Sequence, residues 1–427
     1  MRARSGSSLL FLAPLSICVC LSCRDGAGAP GKPGGAGGGA GSSATGGGSA
    51  VGVGGAGGTG AGGIGGDGTG VGGIGGGAGV IGGTAGASGG GGASGSGGAA
   101  EGGASGGSGG SGGTAEPPRC VGSALGADGK SLTVNTYALA AAPSVAIVTG
   151  PDDNVWFTEA NAIGLVTQEG TVVEFPPLPS LSSAPSGIAA GPDGNIWFTE
   201  AGSGTGTGNQ IGRITPSGAI AEYPVPTADS LPLGIVAGPD DNLWFTEQAG
   251  NKIGRITPGG TVTEFPLPST GGSPDSITLG ADGNLWFTET NGNRIGRITP
   301  AGAITEYPVP TARSFPTGIA VGRDGNLWFV EPGTAGIGRI TPAGVVAEFR
   351  LSNPAEAPGG IVAGPDGNLW FTEYFSGNFG RITPTGTITE FVVAAGTNQS
   401  PSGITVGADC NLWFTDPGNS SVGRVAP

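Results

Sequence analysis

The chain has 427 residues, a formal net charge of −14, 96 glycines, five cysteines and no histidine. Its acidic balance leaves no basic stripe to follow a phosphate backbone, so nucleic acid is not an expected partner. The lack of histidine excludes Ser-His-Asp and Cys-His catalytic devices and removes the commonest transition-metal ligand.

Residues 1–23 open with Arg2 and Arg4 and continue through Leu9, Leu10, Phe11 and Leu12 to Leu21. An apolar stretch of about 15 residues is short for a bilayer span and suits an export signal. Cys23 follows Ser22 and resembles the lipidated cysteine of a bacterial lipoprotein, although Cys20 and Leu21 depart from the usual pattern. The expected location is a cell-envelope lipoprotein, at the outer membrane or cell surface and anchored through Cys23, or else a cleaved form in the periplasm.

Residues 24–116 are nearly all Gly, Ala, Ser and Thr, too poor in large apolar side chains to offset the entropy of folding. Such a Gly-rich coil is a disordered tether with an r.m.s. span of about 50 Å. It carries no Gly-X-Y register, which excludes collagen. The fragment Gly62-Gly63-Ile64-Gly65-Gly66-Asp67 is one isolated copy of a calcium-binding type of repeat, and that fold needs tandem copies.

Residues 117–427 form the third region, in which seven tryptophans, Trp156, Trp197, Trp244, Trp286, Trp328, Trp370 and Trp413, recur within one repeated sentence. A period of about 42 residues per four-stranded unit is the signature of a β-propeller. Asp-Gly-Asn, as at Asp193-Gly194-Asn195, supplies the positive-φ positions of a tight turn between strands one and two. Strand two, such as Leu243-Trp244-Phe245-Thr246, is apolar on both faces, as blades packed on each side require. Strand three carries Ile-Gly-Arg-Ile, and strand four ends in Glu-Phe-Pro or Glu-Tyr-Pro.

The chain stops after a strand three at Val422-Gly423-Arg424-Val425, whereas a strand-four segment, residues 132–137, precedes the first unit. The N-terminal strand must therefore complete the last blade, giving seven blades in an all-β ring with no open inner edge. Cys410 replaces the turn glycine of the last blade and Cys120 precedes the closing strand, which predicts a Cys120–Cys410 disulfide in an oxidising compartment.

Ligands are expected at the channel mouth, where strand one begins. The residue after the proline of Pro-x-Gly-Ile falls there, giving Ser186, Leu233, Asp275, Thr317, Gly359 and Ser402, with Val145 in the less regular first unit. A second ring, Glu159, Glu200, Glu247, Glu289, Glu331, Glu373 and Asp416, ends strand two on the same face. Seven carboxylates around a channel suit a cation or acid–base work. The competing structural role is pairing within each blade to the strand-three arginines Arg213, Arg255, Arg297, Arg339, Arg381 and Arg424. Loops that break the repeat add residues 201–210, Arg313 and Phe315 in the loop from 311, and Tyr374 with Phe375, which are placed to stack on a ring-bearing ligand. The candidate ligand-binding set is Asp275, Glu289, Arg313, Tyr374, Phe375 and Ser402.

The repeated Gly-Pro-Asp-Gly-Asn-Leu-Trp-Phe-Thr-Glu, Asn-Lys-Ile-Gly-Arg-Ile-Thr and Ile-Thr-Glu-Tyr-Pro-Val-Pro closely resemble the virginiamycin B lyase (streptogramin B lyase) family of seven-bladed propellers, over all seven units. The resemblance implies elimination across the ester of a cyclic depsipeptide antibiotic, with Mg2+ and a histidine base at the channel mouth. The implied histidine positions hold Gly359 and Ser402, the implied carboxylate before the second of them is Ser400, and the metal-site glutamate falls near Asp416 or Pro417.

Two functions follow from different classes. One is a monomeric, non-catalytic binding module that takes a small molecule, glycan or protein, with no cofactor. The other is a carbon–oxygen lyase that retains Mg2+ and works through carboxylates such as Asp275 and Glu289. A purely structural spacer is the third alternative, suggested by the long tether.

Overall fold

The computed structural model describes residues 131–180, 183–202, 208–393 and 399–427. The expected signal, Cys23, the tether and Cys120 lie outside the described residues. Among those described, no helix is long and apolar enough to cross a membrane.

Seven antiparallel sheets follow one another along the chain, and in blades 1 to 6 each takes four consecutive strands. Blade 1 is built from Pro143–Thr149, Val155–Glu159, Ile163–Val166 and Val172–Glu174, innermost to outermost. In blade 7 the order runs Ile404–Val406, Leu412–Asp416, Ser421–Val425 and then Val134–Ala138, so the N-terminal strand is the outermost strand of the last blade. Tyr137 opposes Val422 and Asn135 opposes Arg424 in that pairing. This is the closure expected from the strand count, with one difference. The segment expected as a single strand from Leu132 divides at Thr133, and Ser131–Leu132 instead pairs in parallel with Val392 and Val393 of blade 6, giving that blade a fifth strand.

The core is a circle of junctions rather than a centre. Each of seven apolar clusters joins two neighbouring blades; Trp197 and Ile211 of blade 2 meet Leu243 and Phe245 of blade 3 in one of them. The seventh joins Phe157 and Val166 of blade 1 to Trp413 and Val422 of blade 7. Every strand two from blade 1 to blade 7 is buried along its whole length. Burial on both faces explains why these strands read as apolar runs without alternation.

Each tryptophan from blade 2 to blade 7 is fixed at three points, and Trp156 of blade 1 at two. Each indole N–H donates to the aspartate of its own turn: Trp156 Nε1 to Asp152 Oδ1 at 2.9 Å in blade 1, and so on to Trp413 Nε1 and Asp409 Oδ1 at 3.0 Å in blade 7. The ring stacks on the strand-four aromatic of the same blade, as Trp286 does on Tyr307 with centroids 5.6 Å apart. In blade 7 the stacking partner is Tyr137 from the closing strand, 5.4 Å away. In blades 2 to 7 the strand-three guanidinium lies over the indole, at 5.4 Å for Arg255 and Trp244.

Cys410 has φ of 62° at its turn, a conformation inherited from the glycine it replaces, and it is disulfide-bonded. Its expected partner, Cys120, is outside the described residues, and that pairing stays a proposal.

Candidate functional site

The proline that opens strand one pairs with the glutamate that ends strand two, as Pro232 does with Glu247, and the ladder slips before the next isoleucine. The same bulge occurs in blades 1, 2, 4 and 6. A bulge re-aims the residue inside it, and here that residue is the x of Pro-x-Gly-Ile. All seven ring positions, Val145, Ser186, Leu233, Asp275, Thr317, Gly359 and Ser402, line one cavity of about 460 Å³.

Two features hold this ring open. Glycine follows the ring residue in five blades because the inner strands crowd each other; a methyl at Gly234 would sit 2.7 Å from the Asp275 carbonyl oxygen. Strand-two threonines then tie five of the ring carbonyls, those of Val145, Ser186, Leu233, Asp275 and Ser402, to the blade before. Thr199 donates to Leu233 O at 2.6 Å, Thr246 to Asp275 O at 2.6 Å and Thr372 to Ser402 O at 2.7 Å. Blade 5 has Val330 at this position, so the carbonyl of Gly359 receives no such bond.

Of the expected ligand-binding residues, Asp275, Tyr374, Phe375 and Ser402 come together on the cavity wall. Asp275 is partly exposed to the cavity and is reached by Gln248 Nε2 at 3.4 Å. Burial in the cavity pushes its carboxyl up to about 7. Tyr374 and Phe375 meet edge to face at 5.5 Å, and Phe375 is 58% exposed. Ser402 is buried; its N–H donates to Thr415 O at 2.9 Å.

Glu289 and Arg313 are not brought to the cavity. Glu289 is wholly buried behind it, 3.6 Å from Arg294. Arg313 is exposed with φ of 61°, and the cavity wall there is formed by Phe315 instead. Residues 203–207 of the expected loop lie outside the described residues.

The expected pairing of the strand-two glutamates with Arg213, Arg255, Arg297, Arg339, Arg381 and Arg424 is not found among the described residues, and Glu289 meets a different strand-three arginine, Arg294. Register explains why: Glu247 opposes Lys252, whereas Arg255 opposes Trp244, three residues toward the other end of the blade. There the arginines meet the turn aspartates, Arg255 with Asp240 at 3.5 Å and Arg424 with Asp409 at 3.3 Å. The glutamates are left in apolar surroundings beside the strand-four glutamates. Burial first, then the charge of Glu222, pushes Glu200 up to about 8, and burial with Glu264 does the same to Glu247. Both carboxyl oxygens of each lack a hydrogen-bond partner.

One contributor was not anticipated from the sequence. Glu356 lines the cavity, is 8% exposed and accepts a bond from Asn353 Nδ2 at 2.8 Å through one oxygen, while its buried Oε2 has no partner. A signal existed. The position two before the strand-one proline is serine in blades 2, 3 and 5 (Ser183, Ser230, Ser314), and Glu356 is the one carboxylate among the seven.

The positions that the resemblance assigns to the histidines and to the metal-site glutamate do not supply a magnesium site. Gly359 and Ser402 offer no carboxylate or imidazole, and Asp416 is buried with one oxygen accepting from Ser400 N at 3.0 Å and the other from Asn419 Nδ2 at 2.8 Å. Among the described residues no group of three Asp, Glu, Cys or His side chains converges to hold a metal ion. A hard cation that needs several oxygen ligands does not fit this donor set.

Residues 122–206 and 205–425 match the sequence model of the virginiamycin B lyase family. Similar solved structures include a streptogramin B lyase, at 39% identity and a TM-score of 0.64, covering 69% of this chain and 97% of that one. Virginiamycin B lyase from Staphylococcus aureus is similar at 39% identity and a TM-score of 0.65, covering 69% of this chain and 99% of that one. A catalytically inactive histidine-to-alanine variant of that enzyme, solved with quinupristin, matches at 39% identity and a TM-score of 0.64, with coverage of 69% and 99%. No curated protein matches the sequence.

Proposed function

The chain belongs to the virginiamycin B lyase family, and we propose that this member is an exported, envelope-tethered propeller that binds its ligand at the channel mouth without turning it over. The observation that carries this function is the mouth itself. The bulges and the threonine bonds preserve a ring of seven positions around a cavity of about 460 Å³, within the size range of small-molecule sites. A relative is catalytically inactive once a histidine becomes alanine, and this chain has no histidine to take that part. A general base contributes about 10²–10⁴-fold, so loss of the base leaves binding as the function best supported.

In chemical terms the wall offers apolar surface, the Tyr374–Phe375 pair and the hydroxyl-bearing Ser186, Ser276, Thr317 and Ser402. A small molecule, a glycan or a protruding protein segment would be held by stacking and hydrogen bonds. Export through residues 1–23 and attachment at Cys23 would keep this mouth outside the cytoplasm.

One observation favours catalysis as a second function. The Asp275 carboxyl, pushed up to about 7, titrates where a general base works best. The two functions separate in one assay of the full chain against a streptogramin B antibiotic, with and without Mg2+. Saturable binding with no linearised product is expected. Turnover that disappears in Asp275→Asn would replace the binding function with the lyase one.

A further inference from the structure

In blades 2, 3 and 5 the loop entering strand one is clamped to the previous blade by a serine, Ser183, Ser230 or Ser314. Ser230 donates from both N and Oγ to Asn209 Oδ1, at 2.8 and 2.7 Å, and Ser314 does the same to Asn293 Oδ1 at 2.8 and 2.9 Å. Between blades 5 and 6 both halves of the clamp are replaced: the asparagine position holds Ala335 and the serine position holds Glu356. Glu356 therefore serves no clamp, yet its carboxyl is more than nine-tenths buried on the cavity wall with one oxygen unpartnered. A buried carboxylate with an unmet oxygen is costly unless something supplies the missing donor.

The rest of the lining carries the same sign. Asp275 is the other charged residue on the wall, and no Lys or Arg is among the described residues that line it. The chain's excess of acid over base, 31 against 17, adds a field that repels anions from the mouth. Tyr374 and Phe375 border this acidic wall, and their ring faces attract a cation as well as an apolar body.

We infer that the cavity takes an organic cation, an ammonium-bearing molecule with an apolar or aromatic body, whose charge is met by Glu356 and Asp275 and whose body packs on Tyr374 and Phe375. The inference rests on the binding function proposed above and names the chemical class of its ligand. A cation at the mouth also offsets the repulsion between Glu356 and the buried Glu373 beside it. The apolar wall desolvates the ammonium–carboxylate pair and so strengthens it.

Three size-matched probes separate charge from shape: 1-naphthylmethylamine, 1-naphthalenemethanol and 1-naphthoate, titrated into the full chain by calorimetry and saturation-transfer NMR at pH 8. At that pH Asp275, whose carboxyl titrates near 7, is ionised. The amine is expected to bind about tenfold or more tightly than the alcohol, the increment of a charge-assisted hydrogen bond, and the naphthoate weakest of all. Glu356→Gln, which keeps the shape, should bring the amine down to the alcohol's affinity, and Asp275→Asn should narrow the gap. Equal binding of amine and alcohol to the unmodified protein would overturn the charge assignment while leaving a binding cavity in place. Binding of none of the three would overturn the cavity's role as a binding site along with it.

Discussion

Trp286 shows how one side chain is used three ways. Its N–H donates to Asp282 Oδ1 at 3.1 Å, its ring stacks on Tyr307, and Arg297 covers it at 5.6 Å. Trp286→Ala should cost about 3–5 kcal/mol, the usual penalty for truncating a large aromatic in a packed core. Asp282 accepts from the backbone N and the side chain of Asn284 at 3.2 and 2.8 Å as well as from Trp286. Partial burial alone would raise its pKa, but these bonds outweigh burial and hold the carboxyl below its ordinary range. Asp282→Ala should therefore cost about 1–3 kcal/mol, most of it from the buried indole N–H left without an acceptor. Gly296 faces the Phe287 ring, which a methyl would overlap, so Gly296→Ala should lose about 1–3 kcal/mol by overpacking. Guanidinium unfolding midpoints test all three. A neutral Gly296→Ala would show that the blade is looser than the stacked geometry requires.

At the scale of strands, closure depends on one short element. Val134–Ala138 contributes the outer strand of blade 7, and Tyr137 from it both stacks on Trp413 and fills the space under Gly170 of blade 1. Deleting residues up to Leu139 would expose the strand Ser421–Val425 as an edge and leave Trp413 without its ring partner. Exposed edges recruit other chains, so the truncated protein is expected to unfold at lower temperature and to form aggregates visible by light scattering. Unchanged melting and a monomeric elution profile would mean that the other six blades close the ring without it. This element was legible in the sequence because an incomplete count of strand fours left a single way to finish the ring. The ring of mouth positions was legible for a similar reason, since each followed a proline in a repeated phrase. Charge partners were not. Which end of strand three an arginine meets depends on register across the hairpin, and one repeated phrase does not show that Arg255 lies opposite Trp244 rather than Glu247. Glu356 stands out in the sequence only as an unusual residue before a strand-one proline; its meaning comes from a missing asparagine 21 residues earlier, at Ala335, a relation visible only once the loop is seen against its neighbour.

Across the whole propeller the strand-two glutamates form a circle of buried acids behind the mouth. Burial, reinforced by a strand-four glutamate in each blade, lifts Glu159, Glu289, Glu331 and Glu373 to about 7, and Glu200 and Glu247 to about 8, from an ordinary 4.5. The folded state thus holds these protons more tightly than the unfolded chain. Their contribution to stability is complete below about pH 4.5, declines as the unfolded chain ionises and is lost once pH has risen through 7 to 8. The turn carboxylates Asp193, Asp240 and Asp282 act in the opposite sense: burial raises them, hydrogen bonds outweigh it, and their contribution is lost as pH falls below the ordinary aspartate value. The chain's excess of acid over base, which grows as these glutamates ionise, adds self-repulsion on the alkaline side. Thermal melts should accordingly peak near about pH 5 and fall toward pH 8, the reverse of a protein held together by ionised salt bridges. The double variant Glu200→Gln, Glu247→Gln, which keeps two of these sites neutral at every pH, should flatten the decline between pH 5 and 8 by about 2 °C or more. A melting temperature that rises from pH 5 to pH 8, or a double variant with the parent's slope, would show that these carboxyls ionise within the folded ring. In that case the negative field at the mouth comes from the buried circle as well as from Asp275 and Glu356.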